Sequence, residues 1–116
     1  MNEQKTAQAL LIIDMQNDFV HPGTPVHVAG AEATVPVIRK LRESCRKHAV
    51  HVFHVIRSYS ADGLTVERTR LADFRRTPFV VPGTHGAEII AELTPEAGET
   101  IVIKPRYSAF FQTSLD

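Results

Sequence analysis

Three charged residues each close a largely apolar run. Ala9-Leu10-Leu11-Ile12-Ile13 stops at Asp14, Val50 to Ile56 stops at Arg57, and Thr100-Ile101-Val102-Ile103 stops at Lys104. If the runs are strands of one parallel sheet, their carboxyl ends lie together, where open α/β sheets place their ligands. A carboxylate and an ammonium converging there suit proton transfer, or activation of a nucleophile by a base within a positive field. Strand ends also meet solvent, so charges stand there without any chemistry. Residue types alone leave both readings open.

The other reactive side chains carry less. Cys45 is the single cysteine, which excludes an intramolecular disulfide and a thiolate metal cage. It falls on an apolar helical stripe with Val37, Ile38 and Leu41, where a thiol is packing rather than a nucleophile. The six histidines, His21, His27, His48, His51, His54 and His85, contain no His-x-x-x-His pair. His51 and His54 differ in strand parity and so point to opposite faces, and His54 reads as a hydrogen-bonded strand histidine. No cofactor is called for: neither a Walker loop nor a Gly-x-Gly-x-x-Gly occurs.

The elements that must position these residues follow from periodicity. Short, unbroken apolar runs are the habit of buried parallel strands. Between the first two lies a helix over about 31–48, in which Pro36 is tolerable only in the first turn. Arg39, Lys40, Arg42, Arg46 and Lys47 form its solvated faces. Strand, helix, strand predicts a right-handed βαβ unit. From Arg57 to Glu99 no strand signal appears, and the one element expected is a short helix near 85–93 capped by Thr84. Excursions of this length are usually lids or binding segments. Within it, Arg68, Arg70, Arg75 and Arg76 serve either to steer an acidic substrate or to make subunit contacts, and the sequence does not separate these. Thr113 and Asp116 have capping-box spacing, which announces a helix at the last residues. The fold class is therefore α/β, with three strands of a larger parallel sheet, and the 116 residues read as the N-terminal part of a larger domain.

Lys plus Arg total 13 and Asp plus Glu total 13, so net charge is zero. That argues against nucleic-acid or acidic-membrane partners bound through bulk charge. The N-terminus lacks signal-peptide layout and no run is long enough to cross a membrane, so the expected location is cytoplasmic.

Three stretches then shift the balance at the strand ends. Leu10 to Phe19 (LLIIDMQNDF), Val81 to Ile89 (VPGTHGAEI) and Ile103 to Phe110 (IKPRYSAF) resemble, in order, the isochorismatase-like cysteine hydrolases. That family includes isochorismatases, nicotinamidases and carbamoyl-amide hydrolases on a six-stranded Rossmann-like sheet. The resemblance implies an Asp-Lys-Cys mechanism, with Asp14 as general base and Lys104 as the cation that orients it and stabilises a thiolate. Phe19 and Tyr107 would line the pocket. Gln16 and Ser108, grouped with them and with Arg57 on the substrate side, would hold the loops. The family nucleophile follows a fourth strand, which this sequence does not reach, so the domain reads as truncated at its C-terminus. Nicotinamidases of the family carry an Asp-x-His metal motif after the second strand; here Ser58 and Ser60 stand there, and no metal is expected.

The first reading is thus hydrolysis of an amide or carbamoyl C–N bond of a small molecule. Its rivals are enol-ether cleavage of the isochorismatase type, told apart by pyruvate release, and a catalytically inactive fragment acting as an assembly module. An uncovered sheet would make the chain a homo-oligomer or have it completed by a further segment.

Overall fold

Residues 7–115 are described by the computed structural model. The apolar runs form strands where expected: β1 (Ala9–Ile13), β2 (His51–Arg57) and β3 (Thr100–Lys104). All pair in parallel in the order β1-β2-β3, with Ile13 beside Val55 and Arg57 beside Lys104. This register brings the three strand ends to one edge of the sheet.

A single helical turn, α1 (Asn17–Val20), follows β1 and escaped the sequence reading. The main helix, α2 (Ala31–Lys47), has the expected extent but not the expected inward face. Val37 and Leu41, assigned to the apolar stripe with Ile38 and Cys45, are 67% and 50% exposed. Val35, Ile38 and Cys45 pack against a core of Ile12, Val20, Val52, Ile90 and Leu93. Arg42, assigned to a solvated face, is buried and donates to the Glu92 carbonyl at 3.2 Å. Arg46 likewise turns inward, to Glu99 in the turn just before β3. Pro36 sits in the second turn rather than the first. It and Glu32, whose carbonyl loses a donor there, are both exposed, so water can replace the missing bond.

The excursion after β2 is better ordered than its sequence suggests. A 3-10 turn (Arg68–Arg70) leads into α3 (Leu71–Arg76), neither of which was anticipated. Phe74 of α3 joins Phe19, Tyr59, Val66, Phe79 and Val80 in a second core, in which Tyr59, Phe74 and Phe79 meet edge to face. The single helix expected near 85–93 is instead two 3-10 turns, His85–Ala87 and Ala91–Leu93. Ile89 between them bridges Gln16 in antiparallel fashion, and the Ile90 amide donates to Met15 at 3.0 Å, so backbone pairing to the β1 loop displaces helical pairing. Thr84 does cap the first of these turns, accepting from the Ala87 amide. Thr113 Oγ1 accepts from Leu115 at 3.3 Å, whereas Asp116, the other half of the capping box, lies outside the described residues.

The sheet is covered unevenly. Leu11 and Ile13 on one face, and Ile101 and Ile103 on the other, remain exposed. Among the described residues no helix is long and apolar enough to cross a membrane.

Candidate active site

Strict alternation along β1 would turn Asp14 to the face of Ile56, away from Arg57 and Lys104. Asp14 instead adopts a left-handed backbone, φ 59°, while its amide still donates to Val55 at 2.9 Å. Asp tolerates this region better than most residues, at a cost of about 1 kcal/mol or more. The turn swings its carboxylate to the two cations. Arg57 Nη2 lies 3.0 Å from Oδ2 and Lys104 Nζ lies 3.4 Å from Oδ1. The Lys104 ammonium, almost wholly buried, also donates to the Tyr107 carbonyl at 2.8 Å. Asp14 Oδ1, though buried, accepts no hydrogen bond. A carboxylate fixed by cations yet holding an unused oxygen is arranged to receive a proton.

Arg57 is held as firmly as the acid it holds. Its guanidinium stands over the rings of Tyr107 at 4.9 Å, Phe19 at 5.4 Å and Tyr59 at 5.9 Å. Behind it, the fully buried Tyr59 hydroxyl donates to Glu67 Oε2. Burial first, then this bond, pushes the Tyr59 phenol well above its ordinary range, so it stays a neutral donor. Glu67 Oε1 and Arg57 Nε are buried without partners. The Tyr107 phenol moves the other way: Thr69, then the Arg70 guanidinium, pull it below the ordinary range.

In front of Asp14 opens a cavity of about 300 Å³, lined by Asp14, Phe19, Val28, Arg57, Arg70 and Tyr107 among others. A larger hollow of about 510 Å³ lies against Ile56, Ile101 and Ile103, but neither Asp14 nor Lys104 reaches it. The smaller is the candidate site, because the unused carboxylate belongs to it.

The structure therefore gathers Asp14, Arg57, Lys104, Phe19 and Tyr107. Gln16 and Ser108 stand outside the cavity. Gln16 is fully buried, donates to the carbonyls of Arg57 at 2.8 Å and Ala87 at 2.9 Å, and accepts from the Arg57 amide at 2.8 Å. It ties β2 to the 85–87 turn. Ser108 is exposed, and its hydroxyl accepts from the Phe110 amide at 3.1 Å. Sequence reasoning missed Asp18. Its buried carboxylate accepts from the Val80 amide at 2.8 Å and lies against Gly86, where a Cβ would come within 2.1 Å of Oδ2. Val80, a β-branched residue at φ 46°, is held in that strained backbone by this bond and by the Tyr59 amide on its carbonyl.

The residues after β2 do not fit the metal of the nicotinamidases. Ser60 Oγ donates to Asp62 at 2.6 Å within its own turn, and His54 is buried against Glu99. Among the described residues no group of three or more histidine, cysteine or acidic side chains is placed to hold an ion. Cys45 lies six residues before β2, at its amino end, whereas Asp14 flanks its carboxyl end. A strand of seven residues separates them by roughly 20 Å.

Residues 8–116 match the family model described as Isochorismatase domain. An isochorismatase family protein from Desulfovibrio vulgaris superposes with a TM-score of 0.89 at 48% identity, over 94% of this chain and 58% of its own. N-carbamoylsarcosine amidase from Thermoplasma acidophilum superposes with a TM-score of 0.78 at 30% identity, over 96% of this chain and 59% of its own. A probable inactive nicotinamidase of Arabidopsis thaliana is 36% identical over 99% of this chain and 60% of its own. The chain thus spans little more than half the length of each.

Proposed function

This chain belongs to the isochorismatase family, and on that premise we propose that it forms the acid–base half of a hydrolase acting on an amide or carbamoyl C–N bond of a small molecule. The observation that carries the reading is Asp14, fixed by Arg57 at 3.0 Å, facing Lys104 at 3.4 Å, and keeping Oδ1 without a donor. In this reading Asp14 Oδ1 takes the proton of a cysteine thiol, while Lys104 stabilises the thiolate. The sulfur attacks the carbonyl carbon, the C–N bond breaks, and the amine leaves with the proton that Asp14 returns. Water then gives a proton to Asp14 as its oxygen displaces the thiolate from the thioester, the carboxylic acid leaves, and Asp14 returns the proton to the sulfur. Cys45, a strand's length away, does not reach this site, so the thiol comes from protein outside these residues. Phe19 and Tyr107 wall the substrate, and the reaction needs no metal or cofactor. The apolar residues left open on both sheet faces support completion by a further segment or by a second copy.

The test is a chimera in which these residues replace the matching segment of the Desulfovibrio vulgaris protein. Ammonia release from a panel of small amides and carbamoyl compounds is expected, and loss of it in both Asp14→Asn and Lys104→Met. A folded chimera that hydrolyses none of them, or an Asp14→Asn variant that keeps its rate, overturns the reading. Pyruvate in place of ammonia would mark the enol-ether chemistry instead.

A further inference from the structure

Glu67 is a buried carboxylate with no cation of its own. It is only 7% exposed, and among the described residues no lysine, arginine or histidine comes within ion-pair distance of it. The chain doubles back to put it there. The Gly63 amide donates to the Ser60 carbonyl at 2.9 Å and the Val66 amide to the Gly63 carbonyl at 3.2 Å, with Gly63 at φ 80°. The Tyr59 hydroxyl donates to Glu67 Oε2, and Oε1 has no partner. Arg70, three residues on, turns its guanidinium to the rings of Phe79 and Tyr107 instead. Taking an ion out of water at such a place is unfavourable by more than one hydrogen bond returns. If Tyr59 needed only an acceptor, a neutral amide would serve as well.

A cation does stand one residue away. Arg57 Nη1 donates to the Tyr59 oxygen at 3.4 Å, so Glu67, Tyr59, Arg57 and Asp14 form one chain, with an acid at each end and the guanidinium between. The Tyr59 phenol, kept neutral by burial, is the spacer. Asp14 does not hold its charge throughout the proposed reaction. When it takes the thiol proton, the negative charge moves to sulfur, beside Lys104, and Arg57 faces a neutral acid. Arg57 is itself 6% exposed, so water does not replace what it loses. The anion that remains in its chain is Glu67.

We propose that Glu67, acting through Tyr59, is a positioning residue: the standing counter-ion that keeps Arg57 in place while Asp14 holds a proton. This rests on the hydrolase reading for the proton transfer, whereas the sharing of Arg57 between two acids belongs to the resting chain. Stability reads that sharing without turnover, on the 116-residue chain and again in the chimera. Glu67→Gln leaves Tyr59 an acceptor and removes only the charge, so its urea midpoint should match or exceed that of wild type. In Asp14→Asn/Glu67→Gln the guanidinium has neither acid, and the midpoint should fall well below the sum of the two single shifts. Midpoints that add, or a Glu67→Gln variant that does not fold, overturn the proposal. Failure of the double variant alone to fold is the extreme of the expected result. Rates read the consequence. In the chimera Glu67→Gln should lower kcat about five-fold or more with KM unchanged, because the lost charge favours the state in which Asp14 is neutral. Glu67→Asp, which keeps the charge on a shorter stem, should keep more of the rate than Glu67→Gln while losing more stability. The opposite order, or full kcat in Glu67→Gln, overturns the proposal. A chimera that releases no ammonia in any variant sinks the hydrolase reading and leaves the midpoints to decide whether Arg57 is shared.

Discussion

Two buried ionic clusters sit on the same sheet and are built to opposite specifications. Beside the amino end of β3, Glu99 is saturated. Arg46 grips both its oxygens at 2.8 and 2.9 Å, His54 Nε2 stands 2.8 Å from Oε1, and the Glu96 amide donates at 3.0 Å. Arg46 first, aided by the other donors, holds the Glu99 carboxyl down at about 2. At the carboxyl ends of the strands, Asp14, Arg57 and Glu67 each keep an atom without a partner. In the first cluster every oxygen of Glu99 is engaged, and His54 Nδ1 and, through Glu43, the Arg42 Nε are what is left over. Both clusters join elements far apart in the chain, yet one is nearly closed upon itself and the other keeps open valences beside a cavity. Saturated charge ties α2 to the sheet; unsaturated charge is available to a ligand.

The comparison breaks most visibly if the two acids are neutralised in turn. Asp14→Asn in the active chimera is expected to lower kcat/KM by about 10³-fold, the scale of a lost general base, with the urea midpoint little changed. The complementary change, Glu99→Gln, should destabilise the protein by about 2 kcal/mol, because Arg46 and His54 lose a shared buried acceptor, and it should leave KM unchanged. Acid sharpens the contrast. Glu99 titrates lower in the folded chain than its ordinary 4.5, so its contribution to stability is complete above about pH 4.5 and is lost as pH falls toward about 2. Urea midpoints measured across that window should fall in wild type and be flatter in Glu99→Gln. Gly86→Ala lies between the clusters in kind. Its Cβ would displace the Asp18 carboxylate and free Val80 from a strained backbone, at a cost of about 1–2 kcal/mol by chemical denaturation.

How much of this was legible follows from the range of each interaction. The three strands are local facts, apolar runs stopped by a charge, and parallel pairing brings Asp14, Arg57 and Lys104 to one edge; the left-handed turn at Asp14 that swings its carboxylate to the two cations was not legible. The inward face of α2 was misjudged because Arg42 and Arg46 point to the sheet, and their partners, Glu92 and Glu99, lie 50 and 53 residues on. No window over the helix contains that information. The same holds for α3, six residues long, which exists because Phe74 has Tyr59 and Phe79 to pack on. In the site, residue types suggested the acid and the lysine. The Tyr59–Glu67 brace behind Arg57 needed the excursion folded.

The smallest effect is expected at the one residue whose chemistry looks most tempting. Cys45 is half-buried on α2, touching the core beneath the sheet, and its carbonyl accepts from the Val50 amide at 2.8 Å to close the turn into β2. That bond is backbone and survives any side-chain change. Cys45→Ser replaces a small apolar thiol by a hydroxyl of similar size, which the half-open position lets water satisfy, so the stability loss should stay below about 1 kcal/mol. Because β2 separates this thiol from Asp14 by its whole length, ammonia release by the chimera should not change. A rate that collapsed in Cys45→Ser with the urea midpoint unmoved would place the reacting sulfur at the saturated end of the sheet, and would reverse the assignment of the two clusters.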